Sequence, residues 1–146
     1  MGIFAVMSRI LALDYGKKRT GIAVTDPLQI IANGLTTVAT HTLMDFIKDY
    51  VSKEKVERIV MGWPTQTTGQ ASENQQRVKQ FAERLKKTLP EIPVDFYDER
   101  FTSVLAHQAM LTGGLGQKRR QDKALVDEIS ACIILQSYME QKKNAF

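Results

Sequence analysis

The chain has 146 residues, of which 43% are hydrophobic, and carries 20 Lys and Arg against 16 Asp and Glu. This length predicts one domain with a sizeable core, and the net charge of +4 permits an anionic partner without requiring one. The single cysteine excludes an intrachain disulfide, and no stretch approaches the ~20 apolar residues of a membrane span, so we expect a cytoplasmic protein with no membrane association.

The N-terminus reads "MGIFAVMSR" and lacks the basic start, long apolar core and cleavage site of a signal peptide. We therefore interpret residues 1–8 as a loosely ordered extension and residues 9–142 as the single domain.

The first half of the chain predicts a hairpin, a third strand and a helix. Apolar runs at 9–15 and 20–26 flank the turn "GKKR", and the first run is apolar on both faces, which predicts a central strand. Residues 34–40 are rich in β-branched side chains and predict a third strand. A helix follows, beginning near Thr42 or Asp45 and ending near residue 53.

In the second half, strands and helices alternate. Strands are expected at 56–62 and 94–98, and helices at 73–89, from Thr102, and at 124–141, with a polar loop after residue 62 and a basic loop at 112–123. Strands that alternate with helices indicate an α/β fold, and the opening hairpin makes its central sheet mixed.

Three carboxylate positions stand out against apolar surroundings. Asp14 ends the first strand, where open α/β sheets bind ligands, although a turn Asp is an equal alternative. Asp98 and Glu99 end another strand, and alternation sends them to opposite faces without saying which one faces Asp14. Asp127 lies within an apolar helical stripe, but Glu128 has similar neighbours.

Together these acids predict a divalent metal site. Isolated carboxylates against apolar surface are costly and repel one another, whereas Mg²⁺ or Mn²⁺ prefers such oxygen ligands. His41, His107 and Cys132 are scattered and offer no competing zinc site, so we interpret them as ordinary structural residues. A metal pair in an acidic site favours hydrolysis of phosphodiesters.

Basic residues accompany each acidic position and suit an anionic substrate, although any single basic run can be solvated surface. They are Lys17, Lys18 and Arg19 beside Asp14, Arg100 beside Glu99, and Lys118, Arg119, Arg120 and Lys123 before Asp127. The glycines and cations of 113–123 suit a flap that orders over nucleic acid.

The segments "LALDYGKKRTGIAVTD", "IVMGWP", "VDFYDERFTS" and "KALVDEISACIIL", in this order, resemble the YqgF family, also called RuvX-like. The resemblance covers residues 9 to 140. It implies a ribonuclease H-like fold and assigns the metal-binding catalytic acids to Asp14, Glu99 and Asp127.

The resemblance also implies an endonuclease that processes the 5′ end of precursor 16S rRNA, with Holliday junction cleavage as the alternative. The partner would be structured RNA, or branched DNA, and the protein a monomer or weak homodimer. Trp63, where Leu is commoner in the family, can stack on a base or simply cover the loop that follows. Gly21 can let a phosphate approach or serve the turn geometry alone, and Thr102 can cap its helix or contact a phosphate.

Two other classes of function compete with a nuclease. An ATP-dependent phosphotransferase of the actin-like type needs two such domains, and 146 residues hold one. A non-cleaving nucleic-acid-binding module would not need three carboxylates, which repel a phosphate backbone in the absence of metal.

Overall fold

The computed structural model describes residues 7–64, 69–98 and 123–143. Within them lie five strands, β1 (Arg9–Tyr15), β2 (Arg19–Thr25), β3 (Ala32–Ala39), β4 (Val56–Trp63) and β5 (Val94–Asp98), and three α-helices, α1 (Leu43–Lys53), α2 (Gly69–Thr88) and α3 (Lys123–Lys143), with a short 3-10 helix at Thr40–Thr42.

The five strands form one mixed sheet in the order β3-β2-β1-β4-β5. The strands β1 and β2 pair antiparallel as a hairpin, and β3 continues antiparallel to β2. On the other side of β1, the strands β4 and β5 pair in parallel. The predicted α/β class, mixed sheet and central first strand are therefore confirmed, and the carboxyl ends of β1, β4 and β5 meet at one edge.

One face of the sheet is covered by α1 and α2. Alternate β1 residues, Leu11 and Leu13, join a core cluster with Ile47 of α1 and with the predicted stripe of α2. That stripe is fully buried and consists of Val78, Phe81, Ala82 and Leu85. Because side chains alternate along a strand, the neighbouring residues of β1 face the opposite layer.

The opposite face is covered by α3 alone among the described helices. Ile10 and Ala12 of β1 pack there with Ala131, Ile134 and Leu135 of α3. Cys132 is free and partly buried in this layer, and burial raises the pKa of its thiol, which agrees with a packing role.

Polar contacts at Asp95 hold the C-terminal part of α3 against the sheet. The hydroxyl of Tyr138 donates to Asp95 Oδ2 at 2.6 Å, and Arg58 Nη1 lies 2.5 Å from the same oxygen. Burial alone would raise the pKa of Asp95, but the hydrogen bonds from Tyr138 and Arg58 outweigh it and hold this pKa below its usual range. The α3 helix is thereby tied to β4 and β5.

The described elements begin and end close to the predicted limits. The largest differences are at β3, which begins at Ala32, and at α2, which begins at Gly69. Several predictions lie outside the described residues: the extension up to residue 6, the helix from Thr102, and the basic loop up to residue 122. None of the described helices is long and apolar enough to span a bilayer.

Candidate active site

Asp14 lies at the carboxyl end of the central strand and is partly buried. It shares the parity of Ile10 and Ala12, so its side chain is on the α3 face of the sheet. Across the hairpin its register partner is Gly21 of β2. The carboxylate is thus placed where β1, β2 and the covering helix meet.

Gly21 brings the start of α3 against this point. A Cβ atom at Gly21 would lie 2.0 Å from the carbonyl oxygen of Asp127 and 2.9 Å from the amide nitrogen of Glu128. Only a residue without a side chain allows the helix backbone to approach β2 so closely. Asp14 and Asp127 both therefore lie beside Gly21, although 113 positions separate them in the sequence.

Asp127 forms an ion pair with Arg19. The Nε atom of Arg19 lies 3.1 Å from Asp127 Oδ2, and the two side chains are 40% and 24% exposed. Arg19 has the same parity as Gly21 on β2 and so faces α3. We call Asp14 and Asp127 together the acidic site. The guanidinium of Arg19 lies beside it and offsets part of its negative charge.

The neighbouring acid, Glu128, is directed elsewhere. Its Oε1 atom lies 2.7 Å from the position a Cβ would take on Gly34, so its side chain lies over β3. The first turn of α3 is also held to β3, because the hydroxyl of Thr37 donates to the carbonyl of Ala124 at 2.6 Å. Of the two adjacent acids, Asp127 is the one beside Gly21 and Arg19.

The alternation of side chains along β5 gives the orientation of Asp98. Asp95 and Tyr97 contact α3, so Asp98 has the opposite parity and lies on the face of Trp63, its register partner. Asp98 is therefore on the other side of the sheet from Asp14. Glu99 follows it and lies outside the described residues.

The turn between β1 and β2 is held in place by Thr40. The Thr40 amide donates to the Lys18 carbonyl at 2.9 Å, and its hydroxyl donates to the Gly16 carbonyl at 2.7 Å. Lys17 and Lys18 are exposed on this turn. Two ammonium groups are thus presented at the edge that carries Asp14, a placement that the local sequence could not reveal because Thr40 is remote.

Trp63 is partly buried at the end of β4 and packs against Phe96 of β5. The remaining predicted substrate-binding residues lie outside the described residues or have no described side chain: Arg100, Thr102, Lys118, Arg119, Arg120 and Lys123. His41 is exposed beyond β3.

Within 7–64, 69–98 and 123–143, no group of three His, Cys, Asp or Glu side chains is close enough to hold a metal ion. Asp14 and Asp127 are two hard oxygen donors on one face, in the chemistry that Mg²⁺ and Mn²⁺ prefer. A third ligand from the adjoining edge would complete such a site.

Residues 8–141 match the model of a family described as RuvX, Holliday junction resolvase. A Phocaeicola vulgatus protein named "Putative pre-16S rRNA nuclease" is 70% identical over 137 residues, which cover 94% of this chain and 99% of the relative. A Bacteroides fragilis protein of the same name is 64% identical over the same coverage.

Two solved structures share the fold at low sequence identity. T. thermophilus RuvC in complex with a Holliday junction substrate matches with a TM-score of 0.55 and 12% identity, over 90% of this chain and 96% of that chain. The fowlpox virus resolvase in complex with Holliday junction DNA matches with a TM-score of 0.50 and 12% identity, over 92% of this chain and 98% of that chain.

Proposed function

The chain belongs to the RuvX family, and from this premise we propose that it is a metal-dependent endonuclease that processes the 5′ end of precursor 16S rRNA. One observation of the structure carries the proposal. Asp14 and Asp127, which are distant in sequence, both lie beside Gly21 at the carboxyl end of the central strand. A carboxylate pair at this position suits phosphodiester hydrolysis.

Asp14, Asp127 and Glu99 would hold the metal. The proposal for Glu99 is supported by strand parity: its sequence position has the parity of Asp95 and Tyr97, which contact α3, whereas Asp98 does not. When bound, Mg²⁺ or Mn²⁺ would lower the pKa of an attacking water and stabilise charge on the leaving oxygen.

The basic residues would position the substrate. Lys17 is exposed on the turn held by Thr40 and would bind a phosphate near Asp14. Arg19 is paired with Asp127 inside the acidic site. These cations reduce the repulsion between an acidic site and a polyanionic strand. We extend the same role to Arg100, Thr102 and the basic residues from Lys118 to Lys123.

The proposed substrate is structured RNA in the cytoplasm, because the curated relatives carry the rRNA nuclease name. Four-way DNA junctions are the second candidate, because the family description names a Holliday junction resolvase. A monomer suffices for trimming RNA, whereas symmetric junction cleavage would require two copies.

The test uses purified protein with a precursor rRNA fragment or a four-way junction, with Mn²⁺ or with EDTA. We expect Mn²⁺-dependent cleavage of the RNA. Asp14→Asn should reduce cleavage by at least about 100-fold, and its melting temperature is measured in parallel to show that the variant is folded. Cleavage by this variant at the parent rate would disprove the assignment of Asp14.

Asp98→Asn is the matched control, since it makes the same substitution on the opposite face of the sheet. It should cleave at close to the parent rate, and Glu99→Gln should not. The reverse result would show that the parity argument selects the wrong acid. Calorimetry with ATP tests the phosphotransferase alternative, for which we expect no binding.

A further inference from the structure

A groove of about 460 Å³ lies between the end of β4 and α2, on the face opposite Asp14. It is lined by Trp63, Gln75, Gln76, Lys79, Gln80 and Glu83. This volume is in the range of small-molecule sites, and the lining combines an aromatic ring with carboxamides and an ammonium group. The groove is separate from the acidic site.

Trp63 provides a fixed aromatic wall. Its ring packs in part against the core between the sheet and α2. It also meets Phe96 edge to face, with ring centroids 5.2 Å apart and planes at 70°. Two packed contacts hold the indole in one place, so a base can stack on it with little loss of side-chain entropy.

The opposite wall is one stripe of α2, whose groove residues recur at helical spacing. The side-chain amide of Gln75 donates to the Pro64 carbonyl and ties this helix to the end of β4. Carboxamides offer both donors and acceptors to base edges. Lys79 is exposed beside them, and Glu83 lies one turn further along, so Lys79 is the cation of the groove lining that can meet a phosphate.

The groove lies at the same end of the sheet as the acidic site. Trp63 ends β4, which is the direct neighbour of β1 and Asp14. Adjacent strands are only about 5 Å apart, so a base stacked on Trp63 would belong to a nucleotide close in the strand to a phosphate at Asp14. A base-paired helix is too wide to enter a groove of about 460 Å³.

We propose that this groove binds an unpaired nucleotide that flanks the scissile phosphate, with its base stacked on Trp63 and its phosphate near Lys79. The inference rests on the proposed nuclease function, because it names a substrate feature that the same protein selects. It predicts preference for RNA with a single-stranded flank over blunt duplex RNA, through stacking that does not depend on base identity.

Trp63 is the single tryptophan of the chain, so its fluorescence reports on the groove directly. The assay titrates the protein in EDTA with a duplex RNA that carries a single-stranded flank, and with a blunt duplex. We expect the flanked RNA to quench Trp63 and the blunt duplex to leave it unchanged. An equal response to both RNAs would overturn the inference.

Trp63→Leu should weaken binding of the flanked RNA by about 5- to 100-fold and leave blunt-duplex binding unchanged. Trp63→Phe, which keeps a ring, should recover part of the loss and controls for folding. Lys79→Gln should lower the slope of log affinity against log salt by about 0.7. Lys87→Gln, on the same helix but outside the groove, should change affinity equally for both RNAs.

The two proposals fail in different ways. If the parent protein cleaves RNA with Mn²⁺ but Trp63→Leu binds flanked RNA like the parent, the groove assignment is wrong and the nuclease proposal stands. If flanked RNA quenches Trp63 but no metal supports cleavage, the groove assignment stands and the nuclease proposal is wrong.

Discussion

Substitution of Gly21 by Ala tests the contact on which the acidic site depends. The added Cβ would lie 2.0 Å from the Asp127 carbonyl oxygen and 2.3 Å from its carbon, whereas contacts of Cβ atoms below 3.0 Å essentially do not occur. The helix backbone must therefore retreat by about 1 Å, because these are main-chain atoms that cannot rotate away. Asp127 would move with it.

Overpacking by one methyl group at such a site costs about 3 kcal/mol. For a chain of this size, that corresponds to a loss of about 10 °C in melting temperature. A 1 Å displacement of a catalytic group can lower the rate by about 100-fold, so cleavage should fall by that order even below the melting transition. Thermal unfolding by circular dichroism and single-turnover cleavage measure the two effects.

Gly34→Ala is the matched control. Neither glycine adopts a left-handed backbone conformation, so added backbone strain does not distinguish the two variants. The three atoms nearest to a Cβ at Gly34 all belong to the side chain of Glu128, which can rotate aside, and the cost should stay below about 1 kcal/mol. If Gly21→Ala melted and cleaved like Gly34→Ala, the close approach of α3 to β2 would not be what sets the position of Asp127.

Two further predictions concern the polar contacts of α3. Arg19→Gln should bind Mn²⁺ several-fold more tightly in a calorimetric titration, because the Arg19 guanidinium no longer competes with the metal for Asp127. Weaker binding would contradict this. Lys17→Gln, which removes a cation from the neighbouring turn, is the control. Tyr138→Phe should cost about 1 kcal/mol, or about 3 °C, at pH 7, because the hydrogen bond to Asp95 is lost. Since the pKa of Asp95 is lowered in the folded protein, this stabilisation is present above pH ~4 and is lost as the pH falls through the folded pKa. The melting temperatures of parent and variant should therefore converge in acid. A constant difference in melting temperature down to pH 2 would refute this prediction.

Much of the fold could be predicted because each element carries a local signal. Apolar runs around "GKKR" predict the hairpin, and the spacing of Val78, Phe81 and Leu85 predicts the buried side of α2. The motif series predicts the family and the ribonuclease H-like fold, both confirmed by the family match and the structural neighbours. The nuclease function predicted from it agrees with the curated relatives.

The arrangement of the acids could be predicted only in part. Alternation separates Asp98 from Glu99 but gives no absolute direction, which depends on which face α3 covers. For Asp127 and Glu128, a helix that is apolar nearly all round leaves the choice open. In the structure α3 crosses β3 and Glu128 lies over that strand at Gly34, which supports the choice of Asp127.

The contacts missed from the sequence are those between remote positions. The sequence predicts that Gly21 leaves room for a phosphate, which stays a prediction, and it gives no sign of the close approach of the Asp127 backbone that the structure shows. The ion pair between Arg19 and Asp127 joins residues 108 positions apart, and no local sequence pattern indicates it. The metal-ligand roles of Asp14, Glu99 and Asp127 stay predictions.

Asp127 belongs to the helix that covers a whole face of the sheet, not to a separate loop. Eleven residues, or about 16 Å, separate it from Tyr138, which is fastened to β5 at the other end. The first turns of α3 can fray while the middle of the helix stays packed, so amide protons from Ala131 to Tyr138 should exchange more slowly than those near Asp127. The position of Asp127 is therefore set from one side only, by a helix whose buried part lies beyond it.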